Sequence, residues 1–267
     1  MSDPLFEGFV EREPQTDRGV IYARVGGRGP TLSSLHGYPQ THLMWHTAAA
    51  RLADQCTGIV TDLAGYGASR PVPAPDHAPY SRRKMASDQV QAMAELGHER
   101  FAVVRHDRGA RVAYRMALDH PERVEAVAVP DVVPTGEVRA RTDASLALTY
   151  WHRAFLGQPT PLPQRLIAGD PNTFFDLHVR ALGLGAAPDR YPPKLIAAYR
   201  RLLDDPTTVR RSARTTAPAP RSIAATTTPT AQACDGSNIR SPSGTPAVPS
   251  GASMRTCSRC GAHGHGR

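Results

Sequence analysis

The chain has 267 residues, of which 40% are hydrophobic, and it carries a formal net charge of +8. This length suffices for one α/β domain with a cap. We expect a cytoplasmic protein, because the sequence has no run of eighteen apolar residues for a membrane span and no signal-peptide pattern at its N-terminus. Three of the four cysteines fall within the last 34 residues, which argues against a disulfide framework.

The positive charge is concentrated at the C-terminal end. Residues 211–267 contain seven arginines, no lysine and one acid, Asp235, which leaves +2 on residues 1–210. The segment has no Leu, Phe, Trp or Tyr, so it cannot bury enough apolar surface to offset an ordering cost of about 1–2 kcal/mol per residue. We therefore expect a disordered tail at 211–267 and no nucleic-acid partner for the folded part.

Upstream of the tail, apolar runs with strand spacing alternate with helical patterns. In chain order they predict a strand at 19–25, a strand at 31–35, a helix at 44–53, a strand at 58–61, a helix at 81–96, a strand at 101–104, a helix at 108–119 and a strand at 124–129. Such alternation indicates the α/β class, with a mostly parallel sheet and helices on both of its faces.

Beyond residue 134 the pattern becomes helical, with proline-rich joints. The predicted helices are 146–156, 173–184 and 193–203. This arrangement is typical of a helical cap laid over a catalytic sheet. The sequence therefore predicts a core at 1–133, a partial cap at 134–210 and the tail at 211–267.

A sharp turn between the strand at 101–104 and the next helix carries Asp107 at its apex. This is the pattern of a nucleophile elbow with Asp in place of the more familiar Ser. A carboxylate there attacks carbon and forms an ester. The alternative is that Asp107 only caps the helix. Arg108 and Arg111 follow at once, which indicates an anionic substrate.

Two loops near the elbow complete the motif set. His36-Gly37-Tyr38-Pro39 follows the strand at 31–35, and in a hydrolase it supplies the backbone N–H of Tyr38 to an oxyanion hole. The second N–H is that of Arg108, directly after the nucleophile. The segment 62–67 (Asp-Leu-Ala-Gly-Tyr-Gly) lies between these motifs. Without the elbow and the segment 62–67, the residues His36-Gly37-Tyr38-Pro39 would equally fit an ordinary Gly-Pro turn with a buried histidine.

Further polar residues have both a functional and a structural interpretation. Asp131 follows the strand at 124–129, where it is either a triad acid or a turn residue. Trp151 and His152 lie on the first cap helix, where indole and imidazole N–H groups can donate to a halide, although an aromatic stripe toward the core fits the same spacing. The cluster Cys257, Cys260, His263 and His265 resembles half a zinc site with the second pair too tight, so we expect no metal and no cofactor.

From about Phe6 to Arg210 the sequence resembles the haloacetate (fluoroacetate) dehalogenases of the α/β-hydrolase superfamily. The resemblance rests on His36–Trp45, Asp62–Gly67, Met85–Gln89, His106–Arg111 and Tyr114–Asp119, and in the cap on Trp151-His152, Phe155-Leu156, Gln158-Pro159 and Pro161. It implies an α/β-hydrolase fold with a helical cap, a small haloacid as substrate and a homodimer.

The resemblance also implies a role for each matched residue. Asp107 displaces the halide and forms an ester, which a late histidine, oriented by Asp131, then hydrolyses through water. Arg108 and Arg111 hold the substrate carboxylate, and His152 binds the departing halide together with a neighbouring tryptophan. The tryptophan position itself corresponds to Arg153, unless Trp151 substitutes for it.

The resemblance stops near residue 210, where the last strands and the base histidine are expected. We therefore expect a C-terminally incomplete fold and a reaction that halts at the ester. The composition of residues 211–267 is typical of GC-rich DNA read out of frame, which gives the hypothesis of a frameshift near codon 210. Two alternatives remain open at this point. One is an epoxide hydrolase with Tyr150 and Tyr199 as electrophiles, and the other is a non-catalytic anion-binding protein.

Overall fold

The computed structural model describes residues 5–72, 80–128, 141–159, 161–181, 191–204 and 208–209. The chain divides into two units, Met1–Pro220 and Arg221–Arg267, and all of the described residues belong to the first unit. The predicted tail at 211–267 and Asp131 lie outside the described residues. The proposed boundaries between core, cap and tail stay predictions.

A six-stranded sheet forms the centre of the fold. Its strands are β1 (Val10–Arg12), β4 (Ala23–Gly27), β5 (Thr31–Leu35), β6 (Thr57–Thr61), β8 (Phe101–Arg105) and β9 (Val124–Ala128), in the spatial order β1-β4-β6-β5-β8-β9. The strands β5, β6, β8 and β9 are mutually parallel, whereas β4 runs antiparallel to both of its neighbours, β1 and β6. A small antiparallel sheet consists of β2 (Gln15–Thr16), β3 (Gly19–Val20) and β7 (Arg70–Pro71).

The register of the central strands sets the position of the site. Leu35 at the end of β5 pairs with Arg105 at the end of β8. Because the two strands are parallel, their carboxyl ends lie at one edge of the sheet, where ligands bind in open α/β folds. The loop after Leu35 and the turn after Arg105 are therefore neighbours.

Helices cover both faces of the sheet. They are a 3-10 helix (His42–Trp45), α1 (His46–Leu52), α2 (Arg82–Glu95) and α3 (Asp107–Asp119). Consecutive strand residues point to opposite faces. On β6, Ile59 packs into the cluster that includes side chains of α2 and α3, whereas Val60 packs with Ala49 of α1 and with Phe6. The predicted α/β architecture is thus confirmed.

Helices are the regular elements described after β9. They are α4 (Ala144–Thr149), α5 (Trp151–Leu156), α6 (Leu162–Gly169), α7 (Pro171–Ala181) and α8 (Pro193–Asp204). Asp143 caps α4 by accepting the Leu146 N–H at 2.8 Å, and Asp170 accepts the Thr173 N–H at 2.9 Å in the first turn of α7. Buried side chains of α5 to α8 belong to the same apolar cluster as the sheet, so these helices rest on the core.

Two predicted elements are each divided in the structure. The predicted strand at 19–25 splits into β3 and β4, because the Ile21 N–H bonds to the Pro14 carbonyl and the Tyr22 N–H bonds to the Ser69 hydroxyl. The predicted helix at 146–156 breaks at Tyr150, whose φ of −103° and ψ of +37° are not helical. The break falls directly before the cap residues His152 and Arg153.

Candidate active site

Asp107 lies at the apex of a strand–turn–helix junction. It follows β8, opens α3 and has a φ of +41°, which no other described non-glycine residue shares in sign. Such a conformation is costly for a residue with a Cβ and persists only where the surroundings enforce it. Gly109 permits the junction, because a Cβ there would lie 2.6 Å from the Leu35 carbonyl oxygen and 2.7 Å from that of His36. The junction has the geometry of a nucleophile elbow.

The carboxylate of Asp107 is held from the neighbouring loop. Its Oδ2 accepts the Tyr38 N–H at 3.1 Å, which ties it to a segment 69 residues away rather than to the helix it opens. This bond favours the elbow over the capping interpretation. Gly37 allows the approach, since a Cβ at that position would lie 2.7 Å from the Cβ of Asp107. The other oxygen, Oδ1, lies on the side of the cap residue Arg153.

His36 fixes the loop that carries Tyr38. Its side chain is fully buried, with Nδ1 at 2.9 Å from the Gly37 carbonyl oxygen and Nε2 accepting the Leu63 N–H at 3.0 Å. This pair of bonds assigns the proton to Nδ1 of a neutral ring. Burial lowers the pKa of His36 to about 4, so the ring stays neutral at physiological pH.

Asp62 holds the second loop against the first. Its buried carboxylate accepts the N–H groups of His42 at 2.7 Å and Ala68 at 2.9 Å, and it lies 3.0 Å from the His42 ring Nδ1. Burial raises the pKa of Asp62, but the charge and hydrogen bonds of His42 outweigh burial and hold it below the usual range. Gly67 is required here, because a Cβ would lie 2.0 Å from the Asp62 carboxylate.

A small pocket opens above Asp107. Its described lining residues are Tyr38, Arg82, Asp107, Arg108, Arg111, His152 and Arg153. They come from the loop after β5, from the first residue of α2, from α3 and from α5. The structure therefore brings together Tyr38, Asp107, Arg108, Arg111 and His152, which the sequence singled out, and adds Arg82 and Arg153.

The two arginines that follow Asp107 have different surroundings. The Arg108 guanidinium lies 4.5 Å from the Tyr38 ring centroid and donates to the Tyr66 hydroxyl. Arg111 follows on the same helix, and its Nε is buried without a hydrogen-bond partner among the described residues. Burial and the charge of Arg153 lower the pKa of Arg111 to about 10, so it stays a cation at neutral pH.

Asp107 is ionised in this environment. Burial raises the pKa of its carboxyl, but the charge of Arg108, the Tyr38 N–H and the charges of Arg153 and Arg111 together outweigh burial and hold the pKa below its ordinary value. An ionised carboxylate with one oxygen held and the other facing a cationic pocket is equipped to act as a nucleophile toward an anionic substrate.

The cap supplies the opposite side of the pocket. His152 lines it, and burial lowers the pKa of this ring to about 4. Arg153 places its Nη2 3.6 Å from Asp107 Oδ1. Trp151 instead packs among cap aromatics, with ring centroids 6.0 Å from Phe155 and 5.8 Å from Phe174, and it is not among the described lining residues. Its predicted role toward the halide stays a prediction.

His178 on α7 is a residue that the motif analysis missed. Its ring centroid lies 4.5 Å from that of His152 and 5.0 Å from that of Tyr38. It is 1% exposed, and neither ring nitrogen has a hydrogen-bond partner among the described residues. Burial lowers its pKa to about 3. The helical spacing with Phe174 and Phe175 would have placed it on a buried face, but no local motif marks it.

The described part of the chain has His, Cys, Asp and Glu side chains, which are the usual protein ligands of metal ions. It contains no cluster of three or more His, Cys, Asp or Glu side chains that could hold an ion. The Cys257–His265 cluster and the predicted triad acid Asp131 both lie outside the described residues.

Comparisons with known proteins place the fold. The family model of the alpha/beta hydrolase fold matches residues 30–214. A fluoroacetate dehalogenase from a Burkholderia species is 45% identical over 209 residues, which is 78% of this chain and 68% of that protein. The chain belongs to the α/β-hydrolase family.

Other similar proteins in that family are described as epoxide hydrolases. A soluble epoxide hydrolase from a Corynebacterium species is 30% identical over 69% of this chain and 63% of its own length. A candidate epoxide hydrolase from Pseudomonas aeruginosa, solved as a point mutant with bound MFA, superposes with a TM-score of 0.75 at 44% identity, covering 80% of this chain and 71% of that one. The predicted relationship of this α/β-hydrolase to the fluoroacetate dehalogenases is confirmed.

The structure also bears on membrane association. Across the described residues, no helix of this α/β-hydrolase combines the length and apolar character needed to cross a bilayer.

Proposed function

We propose that this α/β-hydrolase cleaves the carbon–halogen bond of haloacetates, converting fluoroacetate or chloroacetate toward glycolate and halide through an ester on Asp107. The observation that carries the proposal is the ionised Asp107 carboxylate, held at Oδ2 by the Tyr38 N–H in a pocket that also contains Arg108 and Arg111. The 45% identity to a fluoroacetate dehalogenase supports this choice of substrate.

The first step is a displacement at the α-carbon. Arg108 and Arg111 bind the substrate carboxylate through charge-assisted bonds and orient the carbon toward Asp107. A bond forms between Asp107 Oδ1 and that carbon, while the carbon–halogen bond breaks and its electron pair leaves with the halide. Asp107 Oδ2 becomes the ester carbonyl oxygen and keeps the Tyr38 N–H bond. His152 donates an N–H to the leaving halide.

The second step is hydrolysis of the ester by water, for which the N–H groups of Tyr38 and Arg108 form the oxyanion hole. A base must remove a proton from that water, and its pKa should lie near the working pH. Burial lowers the pKa of His36 and His152 to about 4 and that of His178 to about 3, so these neighbours are weak bases. Asp131 lies outside the described residues, and the resemblance stops before the base histidine, so we propose that the ester accumulates in this chain.

Incubation with fluoroacetate or chloroacetate tests both steps, with halide release and intact mass as readouts. The wild type should release one halide per chain and gain the mass of one carboxymethyl group on the Asp107 peptide. Asp107→Asn should show neither, while Asp54→Asn, whose side chain is 88% exposed, should behave like the wild type. Halide release by Asp107→Asn would remove the nucleophile from the proposal, and repeated turnover without an adduct would contradict the trapped ester.

An epoxide hydrolase is the second candidate, since a Corynebacterium enzyme of that activity is 30% identical. It would need Tyr150 and Tyr199 as electrophiles. Tyr199 is 1% exposed and packs in the apolar cluster, and neither tyrosine is among the described residues that line the pocket. Diol formation from styrene oxide, lost in both Tyr150→Phe and Tyr199→Phe, would favour this candidate over the dehalogenase.

A non-catalytic anion-binding protein is the third candidate. Its affinity for an anionic ligand would be unchanged in Asp107→Asn and would weaken as salt is added.

The homodimer that the resemblance implies stays a prediction. Light scattering on the purified chain would measure the oligomeric state directly.

A further inference from the structure

His152 can donate to a departing halide in only one of its two neutral forms. Burial lowers the pKa of this ring to about 4, so the ring carries a single proton at neutral pH. A neutral imidazole donates from one nitrogen and accepts at the other, and the hydrogen bond made at one nitrogen decides where the proton lies. The proposed function therefore needs a proton on the nitrogen that faces the pocket.

The two nitrogens of His152 have different surroundings. Nδ1 is buried and has no hydrogen-bond partner among the described residues. Nε2 is not among these buried, unpartnered atoms, and the ring lines the pocket. Nε2 is therefore the nitrogen that a molecule in the pocket reaches. A donor at Nδ1 would keep the proton of the ring on Nε2.

His178 on α7 is placed to supply that donor. Among the described rings it has the shortest centroid distance to His152, at 4.5 Å, and the two planes are perpendicular. It is 1% exposed, and neither of its nitrogens has a partner among the described residues. Burial lowers its pKa to about 3, so this ring is also neutral and has one N–H to donate. Buried polar groups in native proteins normally have a partner, which is often an ordered water.

We propose that His178 is a positioning residue for His152: its N–H donates, through one bridging water molecule, to Nδ1 of His152 and thereby holds the proton of that ring on Nε2. The centroid distance of 4.5 Å suits such a bridge, because each hydrogen bond to the water spans about 2.8–3.0 Å. His178 does not touch the substrate, and no proton is transferred. This inference rests on the proposed function, since it explains how His152 presents an N–H to the halide.

The Tyr38 hydroxyl is a second buried donor near His152. It has no partner among the described residues, and burial raises the pKa of Tyr38, so the hydroxyl keeps its proton. The Tyr38 ring lies farther from His152, at a centroid distance of 6.5 Å, and the two planes are nearly parallel. The shorter distance favours His178 as the donor, and the variant Tyr38→Phe separates the two.

Nitrogen NMR on the substrate-free chain, with isotope-labelled histidine at neutral pH, tests the inference. A ring nitrogen that carries a proton resonates far from one that does not, and His152→Gln assigns the signals by their loss. The wild type should carry the His152 proton on Nε2. His178→Phe should distribute it over both nitrogens, whereas His178→Gln, which keeps an N–H donor, should restore the wild-type form.

Phe174→Leu is the matched control. Phe174 lies one turn before His178 on α7, with ring centroids 6.1 Å apart, so its replacement changes the packing of the same helix face and removes no donor. The His152 proton should stay on Nε2 in this variant. A redistribution equal to that in His178→Phe would reduce His178 to a packing residue and overturn the inference.

Chloride binding measures the functional consequence. Followed at the His152 Nε2 resonance, the dissociation constant of chloride should rise roughly two- to tenfold in His178→Phe, the range that one hydrogen bond spans, and should recover in His178→Gln. A wild-type proton on Nδ1 would overturn the inference, as would an unchanged proton position in His178→Phe. A redistribution in Tyr38→Phe alone would assign the donor to Tyr38 and also overturn it. Should His178→Phe fail to fold, His178→Leu provides the same measurement with a smaller apolar side chain.

The two proposals fail in different experiments. Halide release by Asp107→Asn would remove the proposed function, and the proton position in His152 would stay measurable in that variant. An intact Asp107 adduct from chloroacetate, in a chain whose His152 carries its proton on Nδ1, would remove only the inference about His178.

Discussion

The pocket has two walls that differ in how their polar groups are satisfied. On the sheet wall, defined as Tyr38 and Asp107 with His36 behind them, backbone groups bind the Asp107 carboxylate and both nitrogens of the His36 ring at 2.9–3.1 Å, whereas the Tyr38 hydroxyl is buried without a hydrogen-bond partner among the described residues. On the cap wall, defined as His152 and Arg153 with His178 behind them, Nδ1 of His152 and both ring nitrogens of His178 have no hydrogen-bond partner among the described residues.

The difference suggests separate roles for the two walls: one positions the Asp107 carboxylate, and the other contacts what enters the pocket. A backbone N–H holds the Asp107 carboxylate before any substrate arrives, which is how preorganised sites avoid reorganisation during a reaction. Buried polar groups in native proteins normally have a partner, so the cap nitrogens are suited to contact anions or water that enter the pocket. In the proposed function, the sheet wall carries the carboxylate that attacks, and the cap wall faces the departing halide.

The largest expected effect comes from disturbing the sheet wall at Gly109. Gly109→Ala puts a Cβ against two backbone oxygens, at 2.6 and 2.7 Å, which cannot move without shifting β5. We expect a loss of about 3 kcal/mol in the free energy of unfolding, together with loss of the Asp107 adduct. Urea denaturation and intact mass measure the two effects.

Gly169→Ala is the matched control, because nothing lies within 4 Å of its added Cβ at the end of α6. Its effect should stay within about 1 kcal/mol, the scale of helix propensity. Equal effects of the two substitutions would mean that the elbow is not closely packed.

An intermediate effect, on the affinity for an anion, is expected for Arg111 at the boundary between the two walls. Arg111→Gln removes a buried guanidinium from the pocket, and the dissociation constant of acetate should rise about ten- to hundredfold. Arg115→Gln removes a charge one turn later on the same helix, where the arginine pairs with Asp119 outside the pocket. Calorimetric titration should show little change for that variant, and a similar loss in both would argue for a general electrostatic effect.

The smallest effect concerns the pH dependence of stability. Burial lowers the pKa of His36 and His152 to about 4 and that of His178 to about 3, from an ordinary value of 6.5. The unfolded chain therefore binds more protons than the folded chain below pH 6.5, so their contribution is complete above that pH and is lost as the pH falls toward 4. Urea denaturation between pH 6.5 and pH 4.5 should show this decline.

His178→Phe tests the cap contribution to that decline. It removes one of the three histidines whose pKa is lowered by burial, so the slope of unfolding free energy against pH should fall by roughly one third. His120→Phe, at a side chain that is 29% exposed, controls for the loss of a histidine nearer the surface. An unchanged slope in His178→Phe would show that this ring is not buried as a neutral group.

Local sequence predicts most of the sheet wall. The strand at 31–35 has the same bounds in the structure, because the turn residues Gly29-Pro30 and His36-Gly37 limit it on both sides. Tyr38, Asp107, Arg108 and Arg111 belong to two short motifs at the ends of adjacent parallel strands, so the fold brings them together wherever the motifs occur.

The cap wall depends on contacts that local patterns do not contain. Arg82, Arg153 and His178 come from three separate helices, and only the packing of those helices on the core brings them near Asp107. Of Trp151 and His152, only His152 is among the described residues that line the pocket. The break at Tyr150 starts a new helix at Trp151, and the helical spacing of 146–156 gives no sign of it.

The hydrogen bonds of His36 have a spectroscopic consequence. A neutral imidazole that donates from Nδ1 to the Gly37 carbonyl and accepts the Leu63 N–H at Nε2 holds one ring proton away from solvent. In an NMR spectrum that proton should give a single resonance, exchange slowly with deuterium and stay constant from pH 5.5 to 8, because the pKa lies near 4. The presence of this resonance in a variant would show that the hydrogen bonds of His36 on the sheet wall are intact before any substrate is added.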